Sequence, residues 1–332
     1  MSIRKPQEIE KEASFGSDGP LFPGGLVLDV ATNNFDDMAI AAPGWDQEYL
    51  KLGKEAFRGH LLAVHTARVQ IGLISWNPGI LIHGSAPPHA VTLALVLAKE
   101  GRTSCQGTEL KEDSIVLFRP GMEFEFSAVG GCKVLVVVVE QALLQDHLAA
   151  RCGNQLLVSD SRDRLSVKTP SHQSSMRRSW EMLLVDFEQK PGLLMDRRAA
   201  HDFEHEVLDQ LLNNAQPESG HHAEPHRHRV ARKAKDYLIE HVADTVSIGE
   251  LCETVQANER TLLLGFHEVF GMSPKLYQKS LRLNRVRQDL LRAGKKARVT
   301  DIAVRWGFSH LSRFAADYRQ MFGERPRETA RR

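Results

Sequence analysis

Residues 305–326 read RWGFSHLSRFAADYRQMFGERP. Two apolar helical runs meet there with only Gly307-Phe308-Ser309 between them. The second run carries Phe314, Tyr318 and Met321 at spacings of four and three, which is one face of a helix. Phe322-Gly323 stops it, since glycine adopts the left-handed backbone that closes a helix, and Pro326 follows. So short a turn crosses two helices steeply: one braces while the other projects a polar opening turn toward a partner. This is the helix-turn-helix layout.

A looser copy lies about fifty residues earlier. Leu251 and Val255 match Ile302 and Trp306 at an offset of 51. Leu262, Phe266, Phe270-Gly271 and Pro274 match Phe314, Tyr318, Phe322-Gly323 and Pro326 at an offset of 52. One extra residue therefore sits in or just after the second turn. In the first copy Ser247 and Glu250 have the spacing of a capping box, and Asn258 is placed to cap the projecting helix. Ser273-Pro274 opens a long connecting helix over 274–292. Thr300 is the expected cap of the second brace. Two such units on one connecting helix can reach two segments of a DNA groove about 34 Å apart. A plain helical bundle with solvated polar faces explains one such pattern, but a duplicated one less well.

Charge points the same way. The 332-residue chain carries a net charge of only +1. Residues 226–332 hold 22 Lys+Arg against 12 Asp+Glu, a balance of +10, and the remainder is −9. A basic third on an acidic body suits a polyanionic partner. The 42% hydrophobic and 26% charged content is that of a globular protein, with room for two domains. No apolar run approaches a membrane span, and residues 1–12 are polar and unlike a secretory leader. The four cysteines are scattered without a CxxC pair, as expected of reduced thiols in the cytoplasm.

Residues 1–25 are polar, with Gly and Pro, and are expected to be flexible. Residues 26–150 hold short apolar runs, among them 59–74, 91–97, 115–118 and 134–139, divided by Pro-Pro, Arg-Pro-Gly and Gly-Gly, which indicates an all-β sandwich or barrel. A short helix is expected within 34–50. Residues 151–212 are expected to be helical, with amphipathic helices over 176–189 and 197–212 suited to dimerisation, or merely to covering the β domain. Residues 213–229 read as a linker, followed by the helical domain over 230–328. His221, His222, His226 and His228, with His201 and His205 nearby, raise the question of a metal. A flexible linker supplies no fixed geometry, so a solvated His-rich segment is the better reading and no metal is expected.

Residues 230–328 resemble the DNA-binding domain of AraC/XylS-type transcription regulators. FGMSPKLY (270–277), LRLNRVR (281–287), DIAVRWGF (301–308) and FGERP (322–326) carry the resemblance. Finer details, RTL, GMSP and WGFSHLSRFAADY, resemble the branch that contains the ethanolamine-operon regulator. The resemblance implies seven helices, with recognition helices starting at Asn258 and Ser309. It assigns Arg260, Thr261, Leu263 and Leu264 to the groove-facing places of the first, and His310, Ser312, Arg313 and Ala316 to those of the second. Arg260 and Arg313 are the best base readers, because a guanidinium can bond guanine O6 and N7 together. Lys279, Arg282, Arg285 and Arg319 are candidate phosphate contacts, or simply solvated cations.

The resemblance also implies an N-terminal cupin-like β-barrel with following helices, hence an α+β multidomain chain. It further implies a homodimer, a small-molecule effector, RNA polymerase as a partner, and more often activation than repression. EDSIVLFRPG (112–121) looks like the second half of a cupin motif, yet Met122, Glu123 and Phe124 stand where a metal-binding His would follow. The HxH of the first half is missing too, since His83 and His89 are six apart. A binding barrel without cofactor is therefore expected. Trp76, His83, Phe118, Arg119 and Phe124 are its candidate lining, with Arg119 able to clamp a carboxylate or phosphate. Two alternatives stay open: a cupin-type enzyme with an attached DNA-binding module, and an adaptor whose basic domain binds acidic proteins.

Overall fold

The computed structural model describes residues 21–22, 24–40, 44–52, 55–152, 173–190, 192–214 and 225–331. Residues 1–20 of the expected flexible terminus, 153–172 of the expected dimerisation region and 215–224 of the expected linker lie outside the described residues, with His221 and His222.

The N-terminal half is two antiparallel sheets. The strands are β1 (Leu26–Thr32), β2 (Asp46–Lys51), β3 (Arg58–His65), β4 (Val69–Asn77), β5 (Ile80–Ser85), β6 (Ala90–Lys99), β7 (Thr103–Cys105), β8 (Thr108–Leu110), β9 (Ile115–Phe118), β10 (Glu123–Ala128) and β11 (Cys132–Glu140). The six-stranded sheet runs β1-β3-β4-β11-β6-β9, and the five-stranded sheet runs β2-β5-β10-β7-β8. The sheets are not closed into one another, which corrects the expected cupin-like barrel. β1 and β9 end one sheet, β2 and β8 the other, and no described ladder joins those edges. The physical reason is that each sheet has a second buried face to satisfy. In β11, Val134, Val136 and Val138 enter the core between the sheets, while Leu135, Val137 and Val139 pack outward.

Outside the six-stranded sheet lie α2 (Gln141–Cys152), α3 (Gln173–Gln189) and α4 (Arg197–Asn214), which follow α1 (Phe35–Ile40) in the chain. Trp180, Leu184, Phe203 and Val207 face that outward valine row. α3 and α4 form where the sequence periodicity predicts helices. α2 was not anticipated, and 34–50 holds α1 and then β2 rather than one short helix.

The C-terminal part is helical: α5 (His226–Glu240), α6 (Ile248–Val255), α7 (Glu259–Phe270), α8 (Pro274–Ala293), α9 (Val299–Arg305), α10 (Leu311–Phe322) and α11 (Pro326–Thr329). One core joins α5 to α8 through Leu238, Leu251, Leu262, Phe266 and Tyr277. A second joins α8 to α11 through Val286, Leu290, Ile302, Phe314 and Tyr318. The first core also takes in Leu50, Leu52 and Leu81 from the β2 and β5 region. The five-stranded sheet therefore has the other sheet on one face and the helical domain on the other.

Candidate nucleic-acid interface and inter-sheet cavity

In the first unit, Glu250 N donates to Ser247 Oγ at 3.1 Å and Ser247 N donates to Glu250 Oε2 at 3.4 Å, forming the capping box the sequence predicts. Asn258 caps α7 by accepting from Thr261 N at 2.9 Å, and Ser273 caps α8 by accepting from Leu276 N at 3.4 Å. α7 buries Leu262, Phe266, Val269 and Phe270. Arg260 and Leu264 stand exposed on its other side, with Thr261 and Leu263 half-buried. His267, exposed on the same stripe, was missed; its spacing of seven from Arg260 was the available signal.

In the second unit the brace begins at Arg298 without a side-chain cap, so Thr300 is not the cap. Gly307 makes the turn at φ +78°, where a Cβ would stand 2.6 Å from the Ala243 carbonyl oxygen. Trp306 is fixed by its Nε1, which donates to Asp289 Oδ2 at 2.9 Å. α10 begins at Leu311 rather than at Ser309, with His310 at its N-cap. Ser309, His310, Ser312, Arg313, Ala316 and Arg319 are all exposed. Arg260 and Arg313 make no ion pair among the described residues.

Three of the four candidate phosphate contacts have partners within the chain. Lys279 pairs with Asp317 of α10 at 3.0 Å. Arg282 donates to the carbonyls of Val242, at 2.6 Å, and Asp244. Arg285 reaches Glu48 of β2 at 3.4 Å and Gln288 at 3.1 Å.

Arg287, read in sequence only as part of a basic motif, is buried at the seam between the two halves. It donates to Asn34 Oδ1 at 2.8 Å, to Asp36 Oδ2 at 3.0 Å and to Glu324, and it lies 5.2 Å from the rings of both Phe35 and Phe322. The neighbouring Lys51 donates to the Met321 carbonyl. Its pKa falls to about 8 through burial, with Arg287 adding to the fall and Glu55 opposing it.

Between the sheets lies a cavity of about 70 Å³. Of the candidate lining residues, Trp76, Phe118 and Phe124 border it; His83 and Arg119 do not. The parity of β5 explains His83: Ile80 and Ile82 face the inter-sheet core, so His83 faces away. It lies 3.5 Å from Glu125 without a hydrogen bond to its Nε2. Burial holds its imidazole below the usual range, against the pull of Glu125. Trp45, Gln47, Tyr49, Gln70 and Phe126 complete the polar and aromatic lining and were not foreseen. Among the described residues no group of three or more His, Cys, Asp or Glu could hold a metal ion, and no helix is long and apolar enough to cross a membrane.

Two brace-and-projection units on one connecting helix, the first of them with side-chain caps, seated against a two-sheet domain with an internal cavity, define a double helix-turn-helix protein with a sensor-like N-terminal half. A helix-turn-helix domain model matches residues 251–332, and an AraC-binding-like domain model matches residues 50–213. The probable thc operon regulatory protein of Rhodococcus erythropolis is 29% identical over 215 residues, 60% of this chain and 61% of that protein. A XylDLEGF operon transcriptional activator of Pseudomonas putida is 32% identical over 126 residues, 38% of each chain. XylDLEGF operon transcriptional activator 2 of the same species is 31% identical over 124 residues, 37% of this chain and 76% of that protein. The chain thus spans 61% and 38% of the lengths of the first two relatives. A solved probable AraC family transcriptional regulator from Rhodopseudomonas palustris is 31% identical, covering 31% of this chain and 94% of that one, with a TM-score of 0.30. The chain belongs to the AraC/XylS family, a family of transcription regulators rather than enzymes.

Proposed function

We propose that this protein is a sequence-specific DNA-binding transcription regulator, an activator, controlled by a small-molecule effector held between its two sheets. One observation carries the reading: two projecting helices, each with an exposed unpaired arginine in its opening turns, stand in a segment of net charge +10. Arg260 and Arg313 read bases; His310, Ser312, Thr261 and the exposed Leu264 complete the groove faces. Arg319 and the outer parts of Lys279, Arg282 and Arg285 position the backbone. Residues 26–150 sense, 151–212 dimerise and 230–328 bind DNA; the linker expected over 213–229 gives way at His226, where α5 begins, and His228 is buried against Glu268 rather than solvated. RNA polymerase is the protein partner. The name of the Pseudomonas putida relatives, transcriptional activator, supports the direction of regulation.

Fluorescence anisotropy of labelled duplex DNA with the full chain, from low to near-physiological salt, tests the reading. Affinity is expected to fall with a log–log slope of about −0.9 for each phosphate neutralised, and duplex DNA to be preferred over heparin. Equal affinity for both polyanions at near-physiological salt would favour the acidic-protein adaptor instead.

A further inference from the structure

We propose that the effector is an uncharged, planar, largely apolar molecule carrying a hydrogen-bond acceptor; this rests on the reading of the two-sheet domain as a sensor. The cavity wall is built from six aromatic rings, Tyr49 with its hydroxyl among them, from the amides of Gln47 and Gln70 and from aliphatic side chains of both sheets. No residue that lines it carries a charge. A carboxylate there would leave water without meeting a cation, and an ammonium without meeting a carboxylate, either at a cost of several kcal/mol. The amine suggested by the likeness to the ethanolamine branch therefore does not fit, nor does an acid clamped by Arg119, which lies outside the wall.

Of the polar side chains in the wall, Gln47, Tyr49, Gln70 and Trp76, the last two narrow the class further. Gln70 is already engaged: its Oε1 accepts from Trp45 Nε1 at 3.1 Å, and its Nε2 faces His65 Nδ1 at 3.2 Å. Trp76 is 5% exposed, and its Nε1–H has no hydrogen-bond partner. A buried donor left in that state is costly, and an acceptor on the ligand satisfies it. The volume of about 70 Å³ is near half of the roughly 150 Å³ at which an apolar cavity takes benzene. A ring fits only when part of the half-buried margin formed by Trp45, Gln47 and Ile74 moves aside, which the proposal requires.

The test uses the full chain and two probes of equal heavy-atom count, acetophenone and benzoate, titrated at neutral pH with tryptophan fluorescence as readout. Acetophenone is expected to bind saturably and benzoate at least tenfold more weakly. Trp76→Phe, which keeps a ring and removes the donor, is expected to weaken acetophenone about fivefold, the worth of one hydrogen bond. Ala94→Leu, which fills the wall, is expected to abolish binding, with near-UV circular dichroism confirming that the variant is folded. Benzoate binding as tightly as acetophenone, and lost in Ala94→Leu, would overturn the uncharged class while leaving the sensor reading intact. Failure of both probes, or acetophenone binding untouched by either substitution, would overturn the class and the cavity as the effector site together.

Discussion

Glu125 of β10 accepts a hydrogen bond from Lys235 of α5, while the residues on either side of it, Phe124 and Phe126, face the cavity between the sheets. Strand alternation produces this division: one face of β10 lines the cavity and the other holds the first helix of the DNA-binding domain. β2 repeats it, with Gln47 and Tyr49 lining the cavity while Glu48 reaches Arg285 and Leu50 joins the helical core. The helical domain thus packs against the reverse face of strands that line the cavity. Lys235 and Glu125 are each 9% exposed, so Lys235→Ala leaves a carboxylate buried and unpaired. The expected loss is about 3 kcal/mol in urea unfolding. An unchanged midpoint would show that the pair is not a tie between the halves.

Lys51 gives the seam a pH dependence of definite sign. It is 2% exposed, and burial lowers its pKa to about 8 from 10.5. The folded chain therefore sheds this proton before the unfolded chain does. The penalty is fully present below pH 8 and is relieved as pH rises from 8 through 10.5. Relative to Lys51→Met, the wild type is expected to gain roughly 2–3 kcal/mol between pH 7 and pH 10. Parallel pH profiles of denaturation for the two proteins would contradict this placement of the ammonium.

Gly271 closes α7 at φ +68°, and a Cβ there would stand 2.5 Å from Val129 Cγ1. Gly271→Ala combines a strained backbone with a clash against the five-stranded sheet's loop. A loss of about 2 kcal/mol is expected, read as a lowered thermal midpoint. The corresponding Gly323 has φ +75° with nothing within 4 Å of its Cβ position, so Gly323→Ala is expected to cost only the conformational part, about 1 kcal/mol.

The helical domain was legible in the sequence because its signals are local. Ser247 and Glu250, Asn258, Ser273-Pro274, Gly271 and Gly323 each act within four residues of the helix end they define. The arrangement of the β domain was less legible. Whether β1, β2, β8 and β9 meet at their edges is decided by packing across the whole sheet, so a barrel was expected where two open sheets form. β2 reads as polar DQEYLK, and its burial comes from partners on two opposite faces, one more than 200 residues away. Arg287 was hidden for the same reason: Asn34 and Asp36 lie 253 and 251 residues from it. His83 could have been excluded from the cavity by its parity with Ile80 and Ile82.

The two kinds of arginine on α10 should behave differently. Arg313 stands in the opening turns and Arg319 in the last, both exposed. Arg313→Ala is expected to cost about 1–3 kcal/mol on the preferred site and to relax the base preference at one position. Arg319→Ala is expected to weaken all duplexes alike and to lower the salt slope by about one. Identical effects of the two variants on preferred and scrambled sites would remove the base-reading role from Arg313.

Selection of the full chain against random duplex DNA at near-physiological salt tests the central claim most directly. Two paired projecting helices should recover two short sequence blocks with centres about one helical turn apart. Recovery of no motif by a folded protein, with and without the acetophenone-class effector, would contradict the assignment of α7 and α10 as a sequence-reading pair.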